Sequence, residues 1–164
     1  MTIYEHLGTL ENKNITFIGD SNNVAKSLAF AVISLGGNFN IVSPKGYEFD
    51  KKTSNFLSGI NGGEINKYNN PEDPISKSDI VYTDVWTSMG QEDESKKRLI
   101  AFEGFQITKD LLDKSKKQVK FMHDLPAHPG EEIEEGLLYD SRSIVFDQSE
   151  NRLWAQTALM DYIF

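Results

Sequence analysis

The sequence predicts an α/β fold, a doubly wound parallel sheet of about five strands with helices on both faces, in a single domain over residues 1–164. Two observations predict it. Short apolar runs alternate with segments of helical period from one end of the chain to the other, as in a succession of βαβ units. The loops richest in chemical side chains follow directly after those apolar runs, where an open parallel sheet collects its ligands.

Taken in order, Ile15-Thr16-Phe17-Ile18-Gly19 reads as the first strand. Asn22 or Asn23 can cap a helix running to about Leu35, whose Val24, Leu28, Ala31, Val32 and Leu35 recur at spacings of three and four; Gly36-Gly37 stops it. Asn38 to Val42 is a second strand, Lys51 to Ile60 a helix closed by Gly62-Gly63, and Glu64 to Tyr68 a third strand. A turn through Asn69-Asn70-Pro71 launches a short helix before the fourth strand, Ile80 to Thr83. Glu92 to Phe102 and Thr108 to Lys116 read as helices, with Thr108 a cap, and Val119 to Met122 as the fifth strand. Ser143-Ile144-Val145-Phe146 is expected to extend the sheet edge, with Asp147 or Ser149 opening a terminal helix through Ala155, Leu159 and Ile163. Ile3, Leu7 and Leu10 form an apolar stripe before the first strand. The two ends therefore risk leaving an apolar patch uncovered.

Composition narrows the function classes. A domain of 164 residues buries roughly two thirds of its unfolded surface. The net charge of −8 opposes approach to nucleic acid or an anionic membrane, and the run Lys114 to Lys120 reads as a solvated helix end rather than a binding stripe. Without cysteine there is no disulfide, thiolate metal site or cysteine nucleophile. No apolar run reaches the roughly 20 residues of a membrane span, and the first residues lack a secretion-signal pattern, so a cytoplasmic location is expected. Asn14-Ile15-Thr16 matches a glycosylation acceptor but falls in a predicted strand.

Four segments carry chemistry. Gly19-Asp20-Ser21-Asn22-Asn23 is a strand-to-helix turn with free N–H groups suited to an anion, although its asparagines could simply cap the helix. It is not a G-x-G-x-x-G turn, which argues against a dinucleotide. Asp84-Val85-Trp86-Thr87-Ser88-Met89-Gly90 places a carboxylate at a strand end, where it must be solvated, paired or bound to a cation; the same residues could instead cap the next helix. In His123-Asp124-Leu125-Pro126-Ala127-His128-Pro129-Gly130 the prolines and glycine fix an irregular loop, and His128 reads as a structural histidine donating to a backbone carbonyl. A metal held by His123, His128, Asp124, Glu131 and Glu132 is disfavoured, because histidines five apart across a proline present no single coordinating face. Glu150-Asn151-Arg152 sits at the start of the terminal helix, with a surface salt bridge as the ordinary alternative for Arg152.

Together these motifs resemble the ornithine carbamoyltransferase family, specifically its second, amino-acid-binding domain, over nearly the whole chain. The resemblance implies a Rossmann-like fold and ornithine as the bound amino acid. Asn23 would hold the α-carboxylate, Asp84 and Ser88 the α-ammonium, and the Met89 loop would close over the substrate. The backbone carbonyls of Asp124 and Leu125 would accept the amide N–H groups of carbamoyl phosphate, and Arg152 would reach the carbamoyl oxygen and stabilise its developing negative charge. The reaction implied gives citrulline and phosphate, a step of arginine biosynthesis, with neither metal nor organic cofactor.

The chain departs from the family pattern His-Cys-Leu-Pro-Ala-His-Arg-Gly in having Asp124 for Cys and Pro129 for Arg. A carboxylate beside the reacting amine would favour its charged, non-nucleophilic form. The Ser-Thr-Arg-Thr-Arg loop of the family's carbamoyl-phosphate-binding domain does not occur here. The expectation is that these residues alone are catalytically silent and need that domain in cis or in trans; the family's trimer, a possible homo-oligomer here, also forms largely through it. The competing readings are a carbamoyltransferase for another amine acceptor, such as a modified ornithine or a diamine, and a non-catalytic amino-acid-binding or assembly module.

Overall fold

Five parallel strands stand side by side in the order β3-β2-β1-β4-β5 in a computed structural model that describes residues 1–87, 90, 92–116 and 118–164. They are β1 (Asn14–Ile18), β2 (Asn38–Val42), β3 (Ile65–Tyr68), β4 (Ile80–Thr83) and β5 (Lys120–His123). Phe17 of β1 faces Ile41 of β2 on one side and Tyr82 of β4 on the other. The chain first builds outward through β2 and β3, then crosses back to lay β4 and β5 on the opposite flank of β1. That reversal makes the gap beyond the ends of β1 and β4 the topological switch point, the place where a doubly wound sheet opens a crevice.

Strand alternation sends successive side chains to opposite faces, and both are covered. Ile15, Phe17, Phe39, Ile41, Ile80 and Tyr82 pack with Ala25, Ala29, Val32 and Ile33 of α2 (Asn23–Ser34) and Leu57 of α3 (Lys51–Ser58). On the other face Ile18, Val42, Val81 and Phe121 meet Ile75 of the short α4 (Glu72–Ile75), Phe102 just after α5 (Ser95–Ala101), and Leu111 and Leu112 of α6 (Lys109–Asp113). A polar row crosses that second face. Asn66 Nδ2 donates to Asn40 Oδ1 (3.2 Å), Asn40 Nδ2 to Thr16 Oγ1 (3.2 Å), and Thr16 and Ser78 share a hydroxyl bond of 2.6 Å. Ser78 Oγ then donates to Pro74 O at 3.1 Å, so these buried groups are satisfied.

The structure revises several boundaries. The first helix segment after β2 ends at Ser58, and Gly62-Gly63 does not cap it. A side chain at Gly62 would overlap Ile33 O and one at Gly63 would overlap Gly37 O, so the pair permits a close backbone crossing instead. Ser143–Phe146 is not a strand. Ser143 makes a single bridge to Phe121, and α7 (Val145–Ile163) begins there, earlier than Asp147 or Ser149. Lys114 lies at the C-terminal cap of α6, half exposed as a solvated helix end should be, and pairs with Glu72 at 2.5 Å, while Lys116 pairs with Asp79 at 2.9 Å. The stripe of Ile3, Leu7 and Leu10 in and after α1 (Thr2–Leu7) packs onto the first core face. The patch expected at the far end does appear, because Leu153, Trp154, Leu159, Met160 and Ile163 are each more than half exposed. Among the described residues no helix is long and apolar enough to cross a membrane.

Candidate functional site

The turn after β1 divides its two asparagines between structure and surface. Asn22 caps α2 by accepting from Ala25 N at 3.0 Å, and its amide donates to Asp84 Oδ2 at 2.7 Å. Asn23, the first helical residue, is thereby released from capping and stands exposed toward the crevice.

Asp84 leaves β4 held by donors and, among the described residues, by no cation: Oδ2 accepts from Asn22 and Oδ1 from Val85 N at 2.7 Å. The segment beyond it is anchored by a residue that the sequence reading passed over. Arg98 of α5 is 5% exposed; it donates to Asp20 Oδ2 (2.5 Å) and Trp86 O (3.0 Å) and lies 5.1 Å over the Tyr47 ring. Burial works against its charge, but the Asp20 carboxylate outweighs burial and raises its pKa. Trp86 stacks on Phe102 with ring centroids 5.4 Å apart. Ser88 and Met89 lie outside the described residues.

The loop after β5 is built on His123, not His128. The His123 ring is fully buried and its Nδ1 accepts from Leu125 N at 2.9 Å, while Nε2 lies 3.1 Å from Oε1 of the fully buried Glu132. His128 is half exposed: its backbone N–H donates to the same Glu132 oxygen at 2.6 Å, and its ring Nδ1 lies 3.8 Å from Glu131 Oε2 rather than donating to a backbone carbonyl. Leu125 takes a left-handed conformation, φ 58°, and the Leu125-Pro126 peptide is cis. Between these anchors Asp124 turns its carboxyl toward Asp84. Burial, then the charge of Asp84, push its pKa up to about 6, with His123 pulling the other way. Asp124 Oδ1 is shut off from solvent, with no hydrogen-bond partner among the described residues. Burial also raises the pKa of Tyr82, whose hydroxyl accepts from Gln148 Nε2 at 2.8 Å.

Gln148 is the second unanticipated residue. From the first turns of α7 it reaches Tyr82 of β4 and, through Oε1, accepts from His123 N of β5 at 3.1 Å, fixing the helix against two strand ends. One turn further along the same helix Arg152 enters a cleft of about 520 Å³, lined also by Asn23, Ser27, Asp124, Leu125 and Gln148. No carboxylate engages Arg152 among the described residues, so the surface salt bridge allowed by the sequence is not formed. The crevice thus offers a guanidinium and a helix N-terminus for an anion, with a pair of carboxyl groups for a cation, a charge pattern suited to an amino acid. For a metal, His128, Glu131 and Glu132 bring ligand atoms within 4.8 Å of one another; Glu132 Oε1 is taken by His128 N and the His123 ring, while its buried Oε2 has no hydrogen-bond partner among the described residues.

Comparison with known proteins supplies the wider frame. Residues 11–163 match the family model for the aspartate/ornithine carbamoyltransferase Asp/Orn binding domain. Over 163 residues the chain is 41% identical to the anabolic ornithine carbamoyltransferase of Pyrococcus furiosus, covering 98% of this chain and 52% of that protein. Over 162 residues it is 43% identical to the ornithine carbamoyltransferase of Psychrobacter arcticus, covering 99% and 52%. Among solved structures, the Pyrococcus furiosus enzyme superposes with a TM-score of 0.86 at 41% identity, over 97% of this chain and 52% of that one. The Gloeobacter violaceus enzyme gives 0.87 at 35% identity, over 97% and 54%. The chain spans about half the length of the relatives it matches. With its doubly wound sheet and the crevice at its switch point, this chain belongs to the aspartate/ornithine carbamoyltransferase family, as the Asp/Orn-binding domain.

Proposed function

We propose that the chain is the ornithine-binding half of an ornithine carbamoyltransferase. The observation that carries this is the convergence of Asn23, Asp124, Leu125 and Arg152 on one cleft, with Asp84 beside Asp124. In this reading Asn23 holds the α-carboxylate of L-ornithine, Asp84 and Ser88 hold its α-ammonium, and Met89 belongs to a loop that closes over it. The carbonyls of Asp124 and Leu125 accept the amide N–H groups of carbamoyl phosphate. The neutral δ-amine attacks the carbamoyl carbon, a C–N bond forms, the C–O bond to phosphate breaks, the amine loses a proton, and citrulline and phosphate result. Arg152 neutralises the charge gathering on the carbamoyl oxygen. The phosphate requires cations from a carbamoyl-phosphate-binding domain, supplied in cis or in trans. Homo-oligomerisation and a cytoplasmic setting go with this reading.

The Asp124 carboxyl supports a second reading, transfer to a different amine acceptor. It adds an acid next to Asp84, where a more cationic acceptor would be favoured.

Calorimetric titration with L-ornithine and with norvaline, each with and without carbamoyl phosphate, tests the proposal. Saturable binding that Asp84→Ala abolishes is the expected result; absence of binding to the chain joined by its carbamoyl-phosphate-binding half would refute it.

A further inference from the structure

We infer that Glu132 is a positioning residue for the Asp124–Leu125 backbone: through His123 it fixes which imidazole nitrogen carries the proton, and thereby the direction in which the Asp124 carbonyl faces. The functional side of this inference rests on the reading of that carbonyl as a carbamoyl contact.

His123 Nδ1 accepts the Leu125 N–H at 2.9 Å, and a nitrogen that accepts carries no proton. The neutral ring therefore bears its proton on Nε2, pointing at Glu132 Oε1 3.1 Å away. The same oxygen accepts His128 N at 2.6 Å, so one carboxylate ties both ends of the loop from residue 124 to 128. Glu132 is itself held in place, because its carbonyl accepts Ile107 N at 2.9 Å and its neighbour Ile133 is fully buried.

The consequence for the cleft follows from peptide planarity. The Leu125 N–H and the Asp124 C=O belong to one rigid plane, so holding the first aims the second. Without an acceptor at Glu132 the proton would be free to occupy Nδ1, where it would oppose the Leu125 N–H directly. The plane would then turn, and Leu125 at φ 58° would lose the contact that keeps a non-glycine residue in a left-handed conformation. Asp124 and Leu125 both line the cleft, so the turn would be felt there.

The test uses the intact chain with 15N-labelled histidine, His123 being assigned by comparison with His123→Gln among the three histidines. At neutral pH the wild-type His123 signal should show a protonated Nε2 and a bare Nδ1, and the Leu125 amide should exchange slowly. Glu132→Gln, which retains an acceptor oxygen, should keep both signatures. Glu132→Ala should give mixed tautomers, with Leu125 exchange faster by roughly tenfold, the equivalent of one lost buried hydrogen bond. Ornithine affinity, measured in the presence of the carbamoyl-phosphate-binding half, should follow the same order. A wild-type ring protonated on Nδ1 overturns the inference whether or not any variant folds. So does a Glu132→Ala chain with mixed tautomers and unchanged affinity. A wild type that shows the expected tautomer yet binds no ornithine supports the lock and counts instead against the ornithine reading.

Discussion

The loop after β5 and the distal part of α7 are built in opposite ways. In the loop, irregular backbone is fixed by buried polar groups: His123, Glu132 and the Leu125 amide leave little freedom. In α7 the backbone is regular, yet beyond Asn151 its side chains, Leu153, Trp154 and Leu159 among them, lie in the open. Regularity and rigidity of the site are therefore separate properties. The crevice is pre-shaped by side chains reaching across strand ends, whereas the helix that carries Arg152 depends on its first turns, through Gln148 and the Asn151–Thr2 contact, for its placement.

The largest break in this contrast should come from Arg98→Met. It leaves the partly buried Asp20 without its cation and Trp86 O without a donor, which should cost about 3 kcal/mol and lower Tm by roughly 6–12 °C in thermal denaturation. Asp124→Asn should act in the other direction and only at higher pH. The folded carboxyl titrates near 6 and the unfolded one near 3.8, so the stability it contributes is fully present below 3.8 and is lost as pH rises through 6. Allowing for partial solvent screening, the substitution should stabilise the chain by about 1 kcal/mol at pH 7–8 and leave it unchanged at pH 4. Melting curves across that range check both the size and the sign. The smallest effect is expected in α7: Leu159→Lys, at a position already 57% exposed, should move stability by less than about 0.5 kcal/mol in the same assay.

Much of the fold was legible because each strand is a short apolar run and each helix end carries its own chemistry. Asn38–Val42 and Ile80–Thr83 fall as the sequence predicts, and Thr108 caps α6 by accepting from Leu111 N at 3.1 Å. Ser143–Phe146 misled because an isolated β-branched and aromatic run fits a strand edge as well as a buried helix start, and periodicity over four residues cannot separate them. The site was legible where residues sit at strand ends, as Asp84 and Asp124 do. Glu132 was not, since it falls among Glu131, Glu134 and Glu135 and a run of acids reads as solvated surface. His128 drew attention that belonged to His123 because sequence shows two histidines in one loop but not which of them points inward. Gln148 and Arg98 gave no signal, for their partners lie in distant segments.

The polar row from Asn66 through Asn40 and Thr16 to Ser78 has a further consequence. Parallel strands that are apolar on both faces would tolerate sliding along one another, since one greasy neighbour replaces another. With the row present, a slip by one residue would turn Asn40 and Thr16 to the opposite face and strand their amide and hydroxyl among Phe17, Phe39 and Ile41. The row works as an alignment key, setting how far β1, β2 and β3 reach before their loops begin. The level at which Asn23 and Asp84 stand is thus decided in the interior, by groups that touch neither of them.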